Sequence, residues 1–213
     1  MLEKILNIIY PQICAICGNI NKNALCNKCK LKLEKQAELK IEKNEDKYFN
    51  ELIYFFKYEG LIRKLILDYK FNDKSYYYYT FVTFLLKNKK LFKKIQKYDT
   101  IVPVPISKNR MKTRGYNQSL LIAKGIAKKV NIKLEKDCLI KTKNIIEQSK
   151  LSKEQRITNI KNAYKLINKE KIKNKKVLLI DDIYTTGSTV NECAKTLRIG
   201  NPKKIGVLVL AKD

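Results

Sequence analysis

The run Val177-Leu178-Leu179-Ile180-Asp181-Asp182-Ile183-Tyr184-Thr185-Thr186-Gly187-Ser188-Thr189 constrains the fold most, because it joins an apolar strand to a helix through a loop suited to an anion. Four consecutive apolar residues, Val177 to Ile180, predict an interior strand of a parallel sheet covered on both faces. Asp181 and Asp182 follow at its carboxyl end, where open α/β sheets place their ligands. Side chains alternate along a strand, so the two carboxylates can share a ligand only if the backbone turns there. Thr185, Thr186, Ser188 and Thr189 then offer hydroxyls, and Gly187 can take a positive φ, which lets successive amides converge into an anion-binding nest. Val190, Cys193, Ala194 and Leu197 recur at helical spacing and predict an amphipathic helix whose first-turn amides aim at the same loop.

Amides and hydroxyls would hold a phosphate here, while carboxylates placed against phosphate would repel it. The acidic pair therefore faces something neutral or cationic, and a ribose diol fits, with two hydroxyl donors for two carboxylate acceptors. An acidic turn before a capped helix is the purely structural alternative; the occurrence of strand, paired Asp, hydroxyl-rich loop and helix in register argues against it. The segment resembles the phosphoribosyl-diphosphate (PRPP) signature of type I phosphoribosyltransferases. That resemblance implies that Asp181 and Asp182 bind the ribose 2′- and 3′-hydroxyls and act at the catalytic centre, while Thr185, Thr186, Gly187, Ser188 and Thr189 wrap the 5′-phosphate.

Histidine is absent, which removes Ser-His-Asp and Cys-His nucleophile arrangements and all His-based metal sites. Substitution at an anomeric carbon survives that exclusion, because positioning, charge stabilisation and Mg²⁺ can carry it without a strong base.

Four of the six cysteines, Cys14, Cys17, Cys26 and Cys29, form C-x2-C-x8-C-x2-C. Each pair can present two thiolates to one ion, and four satisfy a tetrahedral structural Zn²⁺. A redox Cys-x2-Cys at a helix start and two disulfides are the competing readings. So small a module holds little apolar surface, and metal ligation would be its main folding energy. Asn19, Asn21, Lys22, Asn23, Asn27, Lys28 and Lys30 surround the ligands without an aromatic residue, so the module offers phosphate contacts but no platform for base stacking. Cys138 and Cys193 read as small core residues.

With 213 residues and 45% hydrophobic content, the chain suits one domain of ordinary size with a small appendage. Lys and Arg number 46 against 20 acidic residues, a formal charge of +26 that attracts polyanions such as nucleic acid, phosphorylated metabolites or an anionic membrane surface. The basic residues are spread along the chain, and an abundance of Asn, Ile and Tyr without Trp matches the codon bias of an AT-rich genome. Charge alone does not separate a nucleic-acid role from solvated lysine faces. Leu2, Ile5, Leu6 and Ile9 before Pro11 predict a short amphipathic helix over Met1–Tyr10, not a signal peptide, since Asn7 interrupts it and no small-residue cleavage site follows. No run approaches a membrane span, so no membrane insertion is expected and a cytoplasmic location is, where cysteines stay reduced.

Leu31 to Lys47 is expected as a linker or helix, with a boundary near residue 45: a zinc-binding module over 1–45 and a phosphoribosyltransferase-like domain over 46–213. Leu52 to Tyr58 predicts a strand, and Ile62, Leu65, Ile66 and Tyr69 a helix after Gly60. Tyr76 to Leu91 is too long for a strand and predicts one helix, its tyrosines either a core face with polar tips or a stacking surface. Asp99 to Pro105 predicts an interior strand. Lys108, Arg110, Lys112 and Arg114 then alternate through what reads as a cationic loop, placed to hold a departing diphosphate. Tyr116, Leu120, Ala123, Ala127 and Val130 mark the next helix face. Cys138 to Lys141 reads as a strand, Ser152 with Gln155 as a capping box, Ala163 to Ile167 as a short segment, and Lys204 to Lys212 as a final strand. Strands alternating with helices predict an α/β fold with a doubly wound, mostly parallel sheet.

The four-cysteine element, Val102-Pro103-Val104-Pro105, Arg114-Gly115-Tyr116-Asn117-Gln118, the spaced Gln148, Leu151, Arg156 and Asn159, and the Asp-Asp-Ile-Tyr-Thr-Thr-Gly-Ser-Thr loop together resemble the ComF (ComFC) family almost end to end. Tyr116 and Tyr164 stand where that family often has Phe, and Lys141 where Arg is common; none of the three is expected at the PRPP contacts. The resemblance implies a type I phosphoribosyltransferase fold, a role in natural competence and DNA uptake, and diphosphate or loop contacts from Arg114 and Arg156, beside Arg110. Two functions follow: a Mg²⁺-dependent phosphoribosyltransferase releasing diphosphate, or a non-catalytic, PRPP-responsive accessory that binds single-stranded DNA alongside competence machinery proteins. A PRPP-responsive repressor is a third, though no helix-turn-helix is apparent.

Overall fold

The computed structural model describes residues 13–21, 25–142 and 160–213. The expected helix over Met1–Tyr10 and the Ser152 capping box lie outside the described residues, as do Gln148, Leu151, Arg156 and Asn159.

After a short helix α1 (Asn27–Glu34), the segment expected as linker or helix contains instead an edge strand, β1 (Lys40–Lys43), antiparallel to β2 (Glu51–Tyr54) with Lys40 opposite Tyr54. The strand predicted over Leu52–Tyr58 breaks after Tyr54 and resumes as β3 (Phe56–Lys57). Helix α2 (Gly60–Phe71) buries Ile62, Leu65, Ile66 and Tyr69, the face that periodicity predicted. The single helix expected from Tyr76 to Leu91 is two, α3 (Tyr77–Leu86) and α4 (Lys89–Ile95), because the Asn88 side chain accepts the amide of Leu91 at 2.9 Å and caps a new start. Tyr77 is buried while Tyr76 and Tyr79 stand exposed, so the tyrosine run is split between core and surface.

Strand β4 (Thr100–Pro103) leads to α5 (Lys108–Arg114) and α6 (Gln118–Val130). The buried stripe of α6 is Ser119, Ile122, Ala123, Ile126, Ala127 and Val130; Leu120 is half-buried, so the face is rotated from the one predicted. Short strands β5 (Lys133–Leu134), β6 (Leu139–Lys141) and β7 (Tyr164–Leu166) follow, β6 and β7 pairing antiparallel. The motif strand is β8 (Lys176–Ile180), followed by β9 (Ile183–Tyr184), helix α7 (Ser188–Arg198), β10 (Lys204–Leu208) and β11 (Ala211–Lys212).

The main sheet has the order β1-β2-β10-β8-β4-β5, parallel throughout except at β1. Leu178 and Ile180 of β8 enter one core with α2, α3, α4 and α6, whereas Val177 and Leu179 enter a second with α7 and the β6–β7 pair. This is the doubly wound, mostly parallel α/β arrangement expected from the sequence, and covering of both faces explains why β8 is apolar without alternation. Three central strands break at the same level and continue as a small parallel sheet, β3-β11-β9, in the order of their parents β2, β10 and β8. Strand β4 has no continuation: it ends at Pro103, the Val104 amide makes one last bond to the Ile180 carbonyl at 2.9 Å, and Pro105 has no amide to carry the ladder further. A recess opens over its end.

The opposite edge of the sheet is closed by charge. Glu51 is buried and accepts from Lys94 at 2.8 Å and from the Tyr98 hydroxyl, with Lys204 at 3.0 Å. Burial works against ionisation of Glu51, but these donors outweigh it and hold the carboxyl below the usual range.

Candidate functional site

The recess is a cleft of about 740 Å³, and the acidic pair, the Thr185–Thr189 loop and two of the three predicted arginines all line it. The break in β8 accounts for the pair. The Asp182 carbonyl accepts the amides of Leu210 at 3.0 Å and Ala211 at 3.4 Å, and the Asp182 amide turns onto Asp181 Oδ1 at 2.9 Å. Regular alternation is lost there, and both carboxylates reach one cavity.

The two acids are held differently. Asp181 Oδ1 accepts the buried hydroxyl of Ser119 at 2.8 Å, from the first turn of α6, whose cap is the Asn117 side chain. Asp182 Oδ1 lies 3.0 Å from the ammonium of Lys70 on α2, while its Oδ2 is buried with no hydrogen-bond partner among the described residues. Burial and then the charge of Asp182 push the Asp181 carboxyl up to about 7, against the pull of Lys70 and Ser119. Ser119 and Lys70 were not among the residues singled out in the sequence, since both lie on helices whose periodicity reports only their core faces.

The loop ends at Gly187 with φ +73°, and a Cβ there would fall 2.2 Å from the Tyr184 hydroxyl oxygen. Thr186 and Ser188 hydroxyls lie 2.7 Å apart, and the Ser188 amide donates to Thr186 Oγ1 at 3.3 Å, so the hydroxyls are ordered at the amino end of α7. The helix dipole and first-turn amides favour an anion at that end.

The predicted cationic loop is a helix, α5, opened by the Ser107 side chain and closed by Gly115 at φ +76°. Helical geometry changes which cations act together, because residues two apart diverge and residues four apart align. Arg110 and Arg114 line the cleft with Thr113; Lys108 and Lys112 do not. Arg114 donates to Gln118 Oε1 at 2.5 Å and lies over the Phe71 ring at 5.1 Å. The third predicted arginine, Arg156, lies outside the described residues.

Lys141 and Tyr164, expected to stand away from the PRPP contacts, line the same cleft. They face each other across β6 and β7, the ammonium 5.4 Å from the ring centre. Burial, with nearby Arg110, draws the Lys141 amine down to about 8 against the opposing pull of Asp181. Behind them Cys193 is fully buried, and Cys138 is buried elsewhere with its thiol pushed up to about 12 by burial; both are core residues as read.

The sulfurs of Cys14, Cys17, Cys26 and Cys29 all lie within 4.8 Å of one another. Cys17 and Cys26 Sγ are 3.8 Å apart, matching the roughly 3.8 Å edge that Zn–S bonds of about 2.3 Å give a tetrahedron. The first pair sits in a turn in which Gly18 donates to the Cys14 carbonyl at 2.9 Å; the second opens α1, with Cys26 at the cap position. A helix start also suits a redox pair, but convergence of all four thiols fits one metal ion. Burial raises the Cys14 thiol, yet backbone donors outweigh it and bring it down to about 6, while burial and the neighbouring sulfurs push Cys29 up to about 12. Ala15 and Leu33 carry the module into the main core.

Residues 116–213 match the phosphoribosyl transferase domain model. Competence protein F of Haemophilus influenzae is 29% identical over 97% of this chain and 93% of its own length. Competence protein ComFC of Bacillus subtilis is 26% identical over 90% of this chain and 74% of its own. Over nearly its whole length the chain is thus similar to ComF-type competence proteins. The DNA utilization protein YhgH of Escherichia coli is 33% identical over 48% of this chain and 44% of its own length. Of the motifs named from the sequence, Val104 and Pro105, Arg114 and Gln118, and the acidic pair with its loop line one cleft. No helix among the described residues is long and apolar enough to cross a membrane.

Proposed function

We propose that the cleft binds PRPP and that the protein is a Mg²⁺-dependent phosphoribosyltransferase acting in DNA uptake, in the cytoplasm. The observation that carries this reading is the convergence of Asp181, Asp182 and the Thr185–Thr189 loop at the carboxyl edge of the sheet, with Arg110 and Arg114 across from them. The loop and the amino end of α7 hold the 5′-phosphate. Asp181 and Asp182 accept the two ribose hydroxyls and so fix the ring and its anomeric carbon. Arg110, Arg114 and Lys141 face the diphosphate and stabilise the charge that grows on it as the C1–O bond breaks, leaving an oxocarbenium-like carbon for the acceptor. Mg²⁺ would enter with the diphosphate, beside the cleft carboxylates Asp181 and Asp182. Bound there, it would spread the leaving group's charge. Zn²⁺ on Cys14, Cys17, Cys26 and Cys29 is the structural metal. DNA uptake is drawn from the names of the competence and DNA utilization relatives.

Calorimetry with PRPP and Mg²⁺, followed by diphosphate release against a panel of nucleobases, tests the assignment. Asp181→Asn combined with Asp182→Asn is expected to abolish release, and failure of every acceptor to support turnover would leave only a binding protein. That second reading, a PRPP-responsive accessory for single-stranded DNA, is favoured by exposed Tyr76 and Tyr79, the latter 5.6 Å from the ammonium of Lys129. Its binding would fall steeply with salt and survive the double Asn variant.

A further inference from the structure

Helix α2 has two working faces. Ile62, Leu65, Ile66 and Tyr69 enter the core, and Arg63, Leu67, Lys70 and Phe71, at i, i+4, i+7 and i+8, line the cleft. The Tyr69 hydroxyl donates to the Gln118 carbonyl at 2.8 Å, and the Tyr116 hydroxyl donates to the Tyr69 carbonyl, so α2 is pinned over the cleft at the turn that carries Lys70. From there the ammonium reaches Asp182 Oδ1 at 3.0 Å; the lysine side chain is 18% exposed and the aspartate 4%.

Two adjacent buried carboxylates repel each other, and Lys70 offsets that repulsion. It leaves Asp182 Oδ2 as a buried acceptor without a donor among the described residues, an arrangement that costs free energy and favours any ligand that brings hydroxyls. Ribose brings two. It also arrives with phosphate charge, and one ammonium cannot remain seated on Asp182 while it meets that charge. Lysine suits an exchange, being a compact charge on a flexible stem, where an arginine fork would grip the carboxylate through two bonds.

We propose that Lys70 is the resident counter-ion of the acidic pair and a positioning residue for the donor: it holds Asp182 in the empty cleft, gives that carboxylate to a ribose hydroxyl, and passes to the diphosphate. This rests on the PRPP reading above. The cleft thus selects a sugar bearing both a free diol and an anionic group at C1; the diol alone displaces Lys70 from Asp182, and a sugar lacking the diol leaves it in place.

The test is calorimetry on the full-length zinc-loaded chain with Mg²⁺, titrating PRPP and ribose 5-phosphate into wild type, Lys70→Met and Lys70→Arg, each first shown by its melting curve to be folded. Lys70→Met is expected to weaken PRPP about tenfold or more, as for a lost charge-assisted contact, and to leave ribose 5-phosphate within about twofold of wild type. Lys70→Arg is expected to weaken ribose 5-phosphate several-fold, because the fork resists displacement. Equal loss of both ligands in Lys70→Met would make Lys70 a mere support of the cleft wall. Unchanged binding in either variant would make the ion pair incidental. If wild type binds neither ligand, the PRPP reading itself fails, which is a separate outcome.

Discussion

The hydroxyl of Ser119 donates to Oδ1 of Asp181 across 2.8 Å, tying the first turn of α6 to the end of β8. A hydroxyl that donates to a buried carboxyl favours its ionised form. Ser119→Ala is expected to push the Asp181 carboxyl higher and weaken ribose 5-phosphate about tenfold at neutral pH, with partial recovery at higher pH. Titrations across pH check this, since a variant that merely loosened the fold would lose affinity at all pH values alike.

Affinity for PRPP should follow a bell. Asp181 accepts a sugar hydroxyl best when ionised, so binding rises as pH climbs through about 7. The Lys141 amine loses its charge near 8, and anion binding then falls. Lys141→Arg is expected to remove the alkaline limb and leave the acid limb, because guanidinium stays charged. An unchanged alkaline limb in that variant would show that Lys141 does not meet the anion.

Asp181 has a stability signature of the opposite sign to that of a salt-bridged aspartate. Its folded pKa, about 7, stands above the ordinary 3.8, so the folded chain binds more protons between those values. This contribution is intact below the unfolded pKa and is lost as pH rises through the folded one. Asp181→Asn should therefore melt at a similar temperature to wild type near pH 4 and higher at pH 8, by about 2–4 °C for each kcal/mol relieved. Calorimetric scans at the two pH values decide it, and a melting temperature raised alongside lost binding would mark a site held at a cost to the fold.

Gly187→Ala is expected to abolish ribose 5-phosphate binding with only a modest fall in melting temperature. The methyl would meet the Tyr184 hydroxyl at 2.2 Å, and the left-handed backbone at φ +73° adds about 1–2 kcal/mol of strain. The loop would re-form with its amides turned from the anion. Pairing it with Tyr184→Ala removes the clash but not the strain, so only partial recovery should appear in the titration.

Replacing one module cysteine, as in Cys29→Ser, should release stoichiometric zinc to a chromogenic chelator and lower the melting temperature of the whole chain in one transition. Leu33 is buried in the core shared with α2 and α4, and the Glu38 amide donates to the Phe55 carbonyl at 2.8 Å, so the module does not unfold alone. Two separated transitions would show that it does.

The chemistry of the motif loop was legible in the sequence because its parts are contiguous: strand, paired acid, hydroxyls, Gly187 and the α7 stripe occupy one run, and local rules read them together. The cysteine spacing was legible for the same reason. Lys70, Ser119 and Lys141 were not, because the first two meet the acidic pair, and Lys141 enters the cleft beside Tyr164, only after distant segments pack; a lysine on an amphipathic helix looks solvated until the fold turns it inward. Alternating cations over Lys108–Arg114 suggested an extended loop, where Ser107 and Gly115 cap one short helix and select Arg110 and Arg114. The split at Asn88 was visible in principle, as an asparagine suited to capping, but the apolar run before it and the return of Leu91 and Phe92 after it read as one continuous helix.

Three strands halt together after Tyr54, Ile180 and Leu208 and resume beyond a shared step, while their neighbour β4 simply ends. The recess is thus a permanent product of how the backbone is woven. On the proposed function, an incoming sugar diphosphate would meet a doorway already framed, and the pace of capture would be set by diffusion through the surrounding positive field and by the departure of one lysine, with salt as the brake.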